Sequence, residues 1–476
     1  MGAARVRFLD RDEEELVHSA SLECLGDIGV LVHSPAVLKL LEKSGAIVDP
    51  RKGVARLPQE MIEDAIRRAP KTIRLYARNP KHDLLLPVDG PPYVATSGLA
   101  VYVYDHETHM KRPSTRKDIA AFGKLADSLD AISYFWPTVT ATDVPEGAHS
   151  LHELWTAWKN CTKHVQGVSI ISADDAKAQI ELGACIAGGK EELKTRPYFS
   201  VICCTIAPLS FERGAVEGQV ELAKGGIPVV SMSMSLAGMT SPVTIAGTIV
   251  NANSENLASL VITQCASPGA PHIYSSESAP VDMTTGCINY SAPETPAIAA
   301  ALGQMAKRYR LPSMTGSWGV GGEEPGIPET FTDMFGAALL SMANTDIASG
   351  MGSIDAAKGA SLEQAVLDSW LWDDFRPYLR SFRVDRDTIA LDVMKAVGQG
   401  GTFLTHPHTG RIFRKELFIR DKGWKPWQRY PASKMLEDAR ALVRKTLKEH
   451  SVPQLDPSIA KKGDDIIRGY EKKLSG

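Results

Sequence analysis

Two histidines separated by one residue form the pattern in this sequence that most resembles a metal site. His406 and His408 flank Pro407 in the glycine-framed segment GGTFLTHPHTG, residues 400–410. A His-x-His pair can supply two ligands, whereas a zinc site needs three or four converging donors. No cysteine or carboxylate stands nearby at a useful spacing, so we predict no metal. Two other roles stay open for these imidazoles, which are binding a substrate or partner and anchoring a loop.

A second group of candidates lies at the ends of short apolar runs. The runs ISYFWP, HIYSSE and PSMTGSW all carry aromatic side chains close to their ends, and these are Tyr134, Trp136, Tyr274 and Trp318. Aromatic faces attract a cation by about 0.5–2 kcal/mol each. We therefore predict a cage for a cation without acidic protons, although each of these residues could instead be ordinary core packing.

The residues at the ends of these runs also argue against other chemistries. The runs end without a lysine that could form a Schiff base and without the pair of carboxylates that a glycosidase needs. Glu277 is expected to orient a loop beside the substrate rather than to act as a base. The predicted substrate-binding set is completed by Ser97, Glu277, Phe403, His406 and His408.

Eight short β-rich runs alternate with helical patterns from residue 93 onward. Their spacing of about 30–40 residues is typical of a (β/α)8 barrel, whose active site lies at the C-terminal ends of the strands. A doubly wound open sheet alternates in the same way, but eight strands in one series favour closure. The runs span residues 93–105, 132–137, 165–170, 198–206, 227–235, 272–277, 312–318 and 345–352.

The pattern divides the chain into three parts. Residues 1–92 are predicted to form a small α+β cap, residues 93–380 the barrel, and residues 381–476 an extension packed on the barrel. The extension contains two amphipathic helical patterns at about 432–449 and 457–473. After the fifth strand, Ser241 and Pro242 are expected to be the N-cap and first residue of a helix.

Composition limits the partners and the location. The net charge of −3 over 476 residues lacks the basic excess of a nucleic-acid-binding protein. No run approaches the ~20 apolar residues of a membrane span, and the N-terminus turns acidic where an export signal would be apolar. The seven scattered cysteines are expected to be reduced thiols, which predicts a cytoplasmic protein.

Four segments of the sequence resemble the trimethylamine methyltransferase family. They are VLVHSPAVLKLLEKSGAIVD, LAGMTSPVTIAGT, PVDMTTG and GGTFLTHPHTGRIF, and they occur in the order found in the family. The resemblance implies a barrel enzyme that moves a methyl group from a methylated amine to the cob(I)amide of a separate corrinoid protein. The chain itself would then bind no cofactor tightly. The candidates for contact with the corrinoid are Met234, Gly238, Ser317 and Met351.

One departure from the family narrows the expected substrate. Members that act on trimethylamine carry pyrrolysine, whose place would fall near Thr315–Trp318, and this chain has no such residue. The resemblance therefore implies the branch similar to glycine betaine methyltransferases, whose substrate nitrogen is already quaternary. Such a nitrogen loses methyl by expelling a neutral amine, so the protein needs no general acid and chiefly positions the reactants.

Several alternatives stay open at this point. The amine could be glycine betaine, carnitine, proline betaine, choline or γ-butyrobetaine. A metal-dependent lyase or hydrolase using His406 and His408 is a second interpretation, and a non-catalytic binder of betaines or of the corrinoid protein is a third. We also expect a homo-oligomer, formed in part by the C-terminal extension.

Overall fold

The N-terminal unit alternates short helices and strands before the barrel begins. The structure, a computed structural model, describes residues 5–167, 170–327, 331–380, 382–417 and 432–475. The elements of the N-terminal unit are α1 (Arg11–Glu23), β1 (Val30–Val32), α2 (Pro35–Lys43), β2 (Ile47–Asp49), β3 (Val54–Arg56), α3 (Gln59–Arg68), β4 (Ile73–Leu75) and β5 (Leu84–Leu86).

The hairpin of β4 and β5 closes one end of the barrel. Its alternating apolar side chains are buried in the same cluster as residues from the barrel interior. The chain around the hairpin bonds to residues just before barrel strands: the Tyr76 N–H donates to Pro197 O (3.2 Å) and the Val88 N–H to Asp346 Oδ1 (3.2 Å). The hairpin therefore seals the N-terminal end and leaves the C-terminal end as the entrance.

The strands from residue 93 onward belong to the barrel or to short ribbons beside it. They are β6 (Tyr93–Thr96), β7 (Tyr102–Tyr104), β8 (Lys111–Pro113), β9 (Val165–Gly167), β10 (Phe199–Cys204), β11 (Ser210–Phe211), β12 (Val229–Ser233), β13 (Leu236–Ala237), β14 (His272–Ser276), β15 (Ala279–Pro280), β16 (Ser313–Met314), β17 (Gly316–Ser317), β18 (Ile347–Met351), β19 (Ser353–Ile354) and β20 (Gly359–Ala360).

Parallel pairing closes the barrel strands into a ring. β9, β10, β12, β14 and β16 are consecutive neighbours, and β17 pairs with β18, which pairs with β6. Isolated bridges from Ala95 to Tyr134 and from Phe135 to Val165 complete the circle through the second predicted strand. The (β/α)8 prediction is confirmed. The third run ends its strand at Gly167, and its residues 168–169 lie outside the described residues.

The helices that follow the N-terminal unit surround the ring and form the C-terminal extension. They are α4 (Arg116–Ser128), α5 (His149–Asn160), α6 (Ala173–Ala187), α7 (Lys190–Thr195), α8 (Arg213–Lys224), α9 (Ile245–Ala266), α10 (Glu294–Arg308), α11 (Phe331–Ser341), α12 (Leu362–Phe375), α13 (Arg386–Ile389), α14 (Leu391–Val397), α15 (Pro407–Glu416), α16 (Ala432–Glu449) and α17 (Pro457–Ser475). The two predicted C-terminal helices are confirmed as α16, which packs on α12 and α4, and α17, which packs on α6. Of the helices in the described residues, none is long and apolar enough to cross a membrane.

Helix α9 is buried along most of its length because the N-terminal unit covers its outer side. Its apolar residues share one core cluster with residues from α1, α2 and α3. The helix begins later than the sequence indicated: Thr244 is the N-cap and its side chain accepts from the Gly247 N–H. Ser241 instead forms a hydrogen bond with the hydroxyl of Thr248 (2.9 Å), so the Ser-Pro signal marked a turn before the helix.

A buried lysine fixes the turn between α4 and the second barrel strand. Lys163 Nζ donates to the carbonyl oxygens of Ala126 (2.7 Å), Leu129 (2.7 Å) and Ile132 (2.5 Å). These carbonyls lie at and beyond the end of α4, where intrahelical donors are lacking. The ammonium therefore acts as a structural cap, and burial lowers the pKa of Lys163.

We expect Lys163→Met to lower the free energy of unfolding by about 3 kcal/mol, because three carbonyls lose their donor while the apolar stem is retained. Urea denaturation followed by circular dichroism measures the change. Lys177→Met is a matched control, since this exposed lysine pairs only distantly with Asp174 (3.7 Å) and should cost less than about 0.5 kcal/mol. Equal effects of the two substitutions would contradict the capping role.

A buried carboxylate fastens the ends of the fourth and fifth barrel strands to α9. Glu255 Oε2 accepts from the hydroxyls of Thr205 (2.5 Å) and Ser233 (2.7 Å). Glu255 Oε1 accepts from the Leu209 N–H (2.9 Å) and from Asn251 Nδ2 (3.0 Å). Burial raises the pKa of Glu255, and these four hydrogen bonds oppose that rise. The side chain thus sets the position of the strand ends that lead into the barrel entrance.

Glu255→Ala should lower the free energy of unfolding by about 3 kcal/mol, since a backbone N–H and an amide donor are left buried without an acceptor. Glu255→Gln should cost about 1 kcal/mol, because the two hydroxyls can turn and accept from the new amide. Thermal and urea unfolding of the two variants provide the comparison. A Gln variant as unstable as the Ala variant would show that the charge, and not the hydrogen-bond pattern, matters.

Candidate functional site

Two side chains at the C-terminal ends of barrel strands combine access to water with a crowded protein environment. Cys204 is the last residue of β10, and Glu277 directly follows β14. Cys204 is exposed and Glu277 is half-buried, yet desolvation by the surrounding protein raises the pKa of both groups. Groups that water reaches while protein atoms crowd around them lie in a deep recess. This recess is the mouth of the barrel.

Glu277 is the centre of the side chains that meet in the mouth. The Ser349 hydroxyl donates to Glu277 Oε1 (3.3 Å) and is the group that lowers the pKa of Glu277 against the effect of burial. Burial raises the pKa of Tyr134, Cys204 and Tyr290, and the charge of Glu277 adds to each rise. We define these five residues as the mouth cluster.

The Cys204 thiol stays protonated under ordinary conditions. Burial, followed by the charge of Glu277, raises its pKa to about 12. A thiol becomes a nucleophile only as thiolate, so the raised pKa makes Cys204 a poor nucleophile. The neighbouring Cys203 faces the helices within the outer core cluster.

Two predicted cage residues line the barrel interior. Tyr134 and Trp136 belong to the interior cluster, two residues apart on the second strand. The Tyr134 hydroxyl donates to Ala348 O (2.9 Å), which fixes its ring. The indole of Trp136 lies against Gly98, where an added Cβ would stand 2.2 Å from the ring. Within the described part of the chain, Trp136 Nε1 has no hydrogen-bond partner.

Three more predicted residues lie at the mouth. Met234 is half-buried and packs against the interior cluster. Ser317 pairs with Ser349 across two parallel strands, which places both side chains on the same face of the sheet. The Ser97 N–H donates to Met351 O (2.9 Å), so Ser97 joins the ends of the first and eighth strands.

Tyr274 lies outside the mouth. Its hydroxyl donates to Asn253 Oδ1 on α9 (3.0 Å), and its ring contacts that of Tyr309 at 6.5 Å between centroids. The predicted cage role of Tyr274 is therefore wrong, because this residue packs between the barrel and its helices. The reason is the two-residue period of a strand, because Tyr274 and Glu277 are three positions apart and face opposite sides.

Trp318 and Met351 also face the helices. The Trp318 indole donates to Asp368 O on α12 (3.0 Å) and stacks on Phe375 at 4.9 Å. Met351 pairs with the outward-facing Thr96 after an irregularity in β18 and is buried in the outer core cluster. Neither can reach a molecule in the mouth, so the predicted substrate contact of Trp318 and corrinoid contact of Met351 are corrected.

An irregularity in the seventh strand explains the position of Trp318. The Thr315 hydroxyl donates to Ala343 O (3.1 Å), and a Cβ on Gly316 would stand 2.2 Å from Leu340 O. Thr315 and Gly316 therefore both face the helix layer. The alternation of inward and outward side chains resumes one residue late, at Ser317. As a result Ser317 faces the interior and Trp318 faces outward.

The two histidines of the opening pattern begin a helix. His406 is the N-cap of α15, and its Nδ1 accepts from the His408 N–H (3.2 Å), with Pro407 at the first helical position. Phe403 is exposed and bonds through its carbonyl oxygen to the Thr409 hydroxyl (2.6 Å). No contact of these residues with the mouth cluster is found among the described residues. Substrate binding by Phe403, His406 and His408 stays a prediction.

The loops around the mouth present an apolar rim. Gly238 has φ +92°, and an added Cβ would lie 3.2 Å from Met283 Sδ, so the loops after the fifth and sixth strands touch at this position. The exposed apolar side chains of these and neighbouring loops, which we define as the rim, are Leu99, Ile206, Met239, Val243 and Met283.

Sequence reasoning missed three members of the mouth cluster. Ser349 has the same strand parity as Ile347, an interior residue. Cys204 has the same strand parity as Ile202, an interior residue, so a period-two count along the fourth run would have found it. Tyr290 follows the sixth strand in an irregular loop and carries no periodic signal.

The arrangement is suited to holding a small cation. It combines aromatic rings, hydroxyl groups and one carboxyl group, and its thiol is protonated. Over the described ranges, no group of three or more His, Cys, Asp or Glu residues is placed to hold a metal ion.

Comparisons with known proteins identify the family of this chain. A family model described as trimethylamine methyltransferase (MTTB) matches residues 2–474. A trimethylamine methyltransferase of Desulfitobacterium hafniense is 31% identical over 86% of this chain and 83% of its own. A glycine betaine methyltransferase of the same species is 27% identical over 98% of both chains.

A solved structure supports the fold. The monomethylamine methyltransferase of Methanosarcina barkeri superimposes with a TM-score of 0.53 over 99% of this chain and 88% of that chain, at 11% identity. The match over nearly the whole length agrees with the closed ring of parallel strands. The family model over residues 2–474 and the 31% identical relative show that this chain belongs to the trimethylamine methyltransferase family and is a methyltransferase.

Proposed function

We propose that this enzyme transfers a methyl group from a quaternary amine to the Co(I) of a corrinoid carried by a separate protein. The observation that carries the proposal is the mouth cluster, which offers aromatic rings and a single carboxyl group around a recess. Such a lining can bind a permanent cation but supplies no activated nucleophile. The relative named glycine betaine methyltransferase supports a quaternary substrate, and glycine betaine is the reference compound.

The chain's own residues would act by binding and alignment. A quaternary nitrogen releases methyl as its bonding electrons return to nitrogen, so the leaving amine is neutral and needs no proton. The corrinoid, when its protein is docked, supplies a strongly nucleophilic Co(I). Tyr134 and Trp136 would hold the ammonium in line with the entrance, because their rings are fixed by Ala348 and Gly98, and alignment is the main source of rate in such a transfer.

The rim is the surface that would receive the corrinoid protein. Exposed apolar side chains such as Met239, Val243 and Met283 surround the entrance, where a partner must dock to bring cobalt near the methyl group. Exposed apolar groups that cluster at one place often mark an interaction site. Gly238 and Met234 lie at this entrance and Ser317 faces it, so these three remain candidates for the corrinoid side, whereas the chain itself would hold no cofactor tightly.

Tyr134→Leu should lower kcat/KM for a quaternary amine about tenfold, because the cation loses one aromatic face. Tyr134→Phe keeps that face and loses only the hydrogen bond to Ala348, so its kcat/KM should stay within about threefold of the wild type. Single-turnover methyl transfer to cob(I)alamin measures both variants. If the Phe variant were as impaired as the Leu variant, the ring would not be the binding element.

A screen of quaternary amines for methylcobalamin formation tests the reaction itself. Glycine betaine, carnitine, proline betaine, choline and γ-butyrobetaine are the substrates, with trimethylamine as the tertiary comparison. We expect turnover of at least one quaternary amine and none of trimethylamine. A protein that binds these amines but forms no methylcobalamin would be a binder and not an enzyme of this reaction.

We also propose a homo-oligomer built in part by the C-terminal extension. Residues 378–417 carry a dense group of exposed large apolar side chains, which are Tyr378, Phe382, Val384, Ile389, Leu391, Met394, Phe403, Leu404 and Leu417. The helices of this segment have 4, 7 and 10 residues, too short to be stable in water without a partner surface. A cytoplasmic location is proposed as well, in keeping with seven free cysteines.

Leu404→Glu should shift the protein toward monomer, because a charge would enter an apolar interface. Leu404 is 81% exposed in the single chain, and Ile47 in the N-terminal unit, 62% exposed, provides the control Ile47→Glu. Light scattering coupled to size-exclusion chromatography measures the mass of each. A wild-type monomer, or dissociation by the control alone, would refute a role for the extension.

A further inference from the structure

The mouth cluster contains one carboxyl group, that of Glu277, which accepts a hydrogen bond from a hydroxyl group. No described cation balances its charge. Ser349 Oγ lies 3.3 Å from Glu277 Oε1, and Cys204, Tyr134 and Tyr290 complete the surroundings. All of these neighbours are neutral at ordinary pH. The carboxyl group is therefore the one charge that a bound molecule would meet in the mouth cluster.

Among the described residues, no lysine, arginine or histidine is a cause of the pKa shift of Glu277. The charged groups that act on Glu277, Cys204, Tyr134 and Tyr290 are only Glu277 itself and, for Tyr290, Cys204. A positively charged side chain nearby would favour ionisation of these groups, and none of the described residues has that effect. In the barrel interior, the indole N–H of Trp136 is a neutral donor without a partner among the described residues.

We infer, on the basis of the proposed function, that Glu277 is a specificity-determining residue and that the mouth selects a quaternary ammonium compound with net positive charge over a zwitterionic betaine. Choline is such a cation, whereas glycine betaine carries a carboxylate of its own. In the mouth that carboxylate would face Glu277 without a cationic partner, and burying an unpaired charge is costly. A cation without a carboxylate group of its own is attracted by Glu277 and carries no group that Glu277 repels.

Proton linkage gives this inference a signature of its own. Burial raises the pKa of Glu277 from its ordinary value of 4.5, so part of the free protein holds a proton there at pH values above that. A bound cation favours the carboxylate, which releases the proton. Affinity for the cation should therefore rise with pH through the range in which Glu277 titrates and then level off. The facing groups Ser349, Tyr134, Cys204 and Tyr290 stay neutral across this range.

Isothermal titration calorimetry of the full chain, without any corrinoid, tests the inference with four probes. These are tetramethylammonium, choline, glycine betaine and the methyl ester of glycine betaine, which keeps the shape of betaine but masks its carboxylate. We expect the ester and choline to bind at least about tenfold more tightly than glycine betaine. Titrations in buffers of different ionisation enthalpy should show proton release for the cations.

Glu277→Gln keeps the shape of the side chain and removes its charge. We expect this variant to lose about tenfold in affinity for the cations, to bind glycine betaine at least as well as the wild type does, and to show no pH dependence of affinity. The wild-type probe series stands on its own should the variant fold poorly. Glycine betaine binding as tightly as its ester would overturn the inference, and so would the absence of binding by all four probes.

The outcome is separable from that of the proposed reaction. Cation-selective binding without methylcobalamin formation would leave this inference standing and refute the methyl transfer. Methyl transfer from glycine betaine, with weaker binding and no turnover of choline, would support the reaction and refute the charge selection.

Discussion

The two faces of each barrel strand are the constraint that decides which residues can reach a substrate. Parallel strands covered by helices present alternate side chains to the interior and to the helix layer. At the C-terminal end this alternation brings Tyr134, Cys204, Glu277 and Ser349 together from four different strands. The hairpin of β4 and β5 fills the opposite end with apolar side chains. Because one end is closed, the recess around Glu277 opens in a single direction, toward the rim.

The same constraint explains how far the sequence could predict the site. The eight runs and their closure could be predicted, because apolar periodicity records burial directly. Tyr134 and Trp136 share the interior face because they are two residues apart on one strand. Tyr274 and Glu277 are three positions apart, so they face opposite sides of their strand. Counting alternate positions would have excluded one of them from the interior. Trp318 could not be placed by counting, since the seventh strand has two consecutive outward positions whose cause lies in the packing of Gly316 against the backbone at Leu340.

The histidine pair shows a different limit, because the sequence left open whether these residues bind a substrate or partner or anchor a loop, and the structure shows that they begin a helix. His406 caps α15 through its ring nitrogen, and Pro407 occupies the first helical position, where its lacking N–H costs nothing. The spacing of the two histidines is thus a consequence of a cap–proline sequence. A similar signal was misplaced before α9, where Thr244 and not Ser241 is the N-cap. Cap signals indicate that a helix begins nearby, whereas tertiary contacts determine which residue becomes the N-cap.

In the proposed methyl transfer, the half-buried carboxyl group of Glu277 would have opposing effects on binding and on rate. As methyl leaves a quaternary nitrogen, positive charge leaves with it, so an ion pair to Glu277 stabilises the bound substrate more than the transition state. Aromatic faces hold the same cation by an attraction that depends less on its charge than an ion pair does. A carboxyl group that shares the mouth with Tyr134, Tyr290 and Trp136, and that already accepts from Ser349, would raise affinity for a dilute cation at some cost to the chemical step. Such a balance would suit an enzyme whose substrate is scarce, and the proposed selection would then act on the charge of the substrate more than on its size.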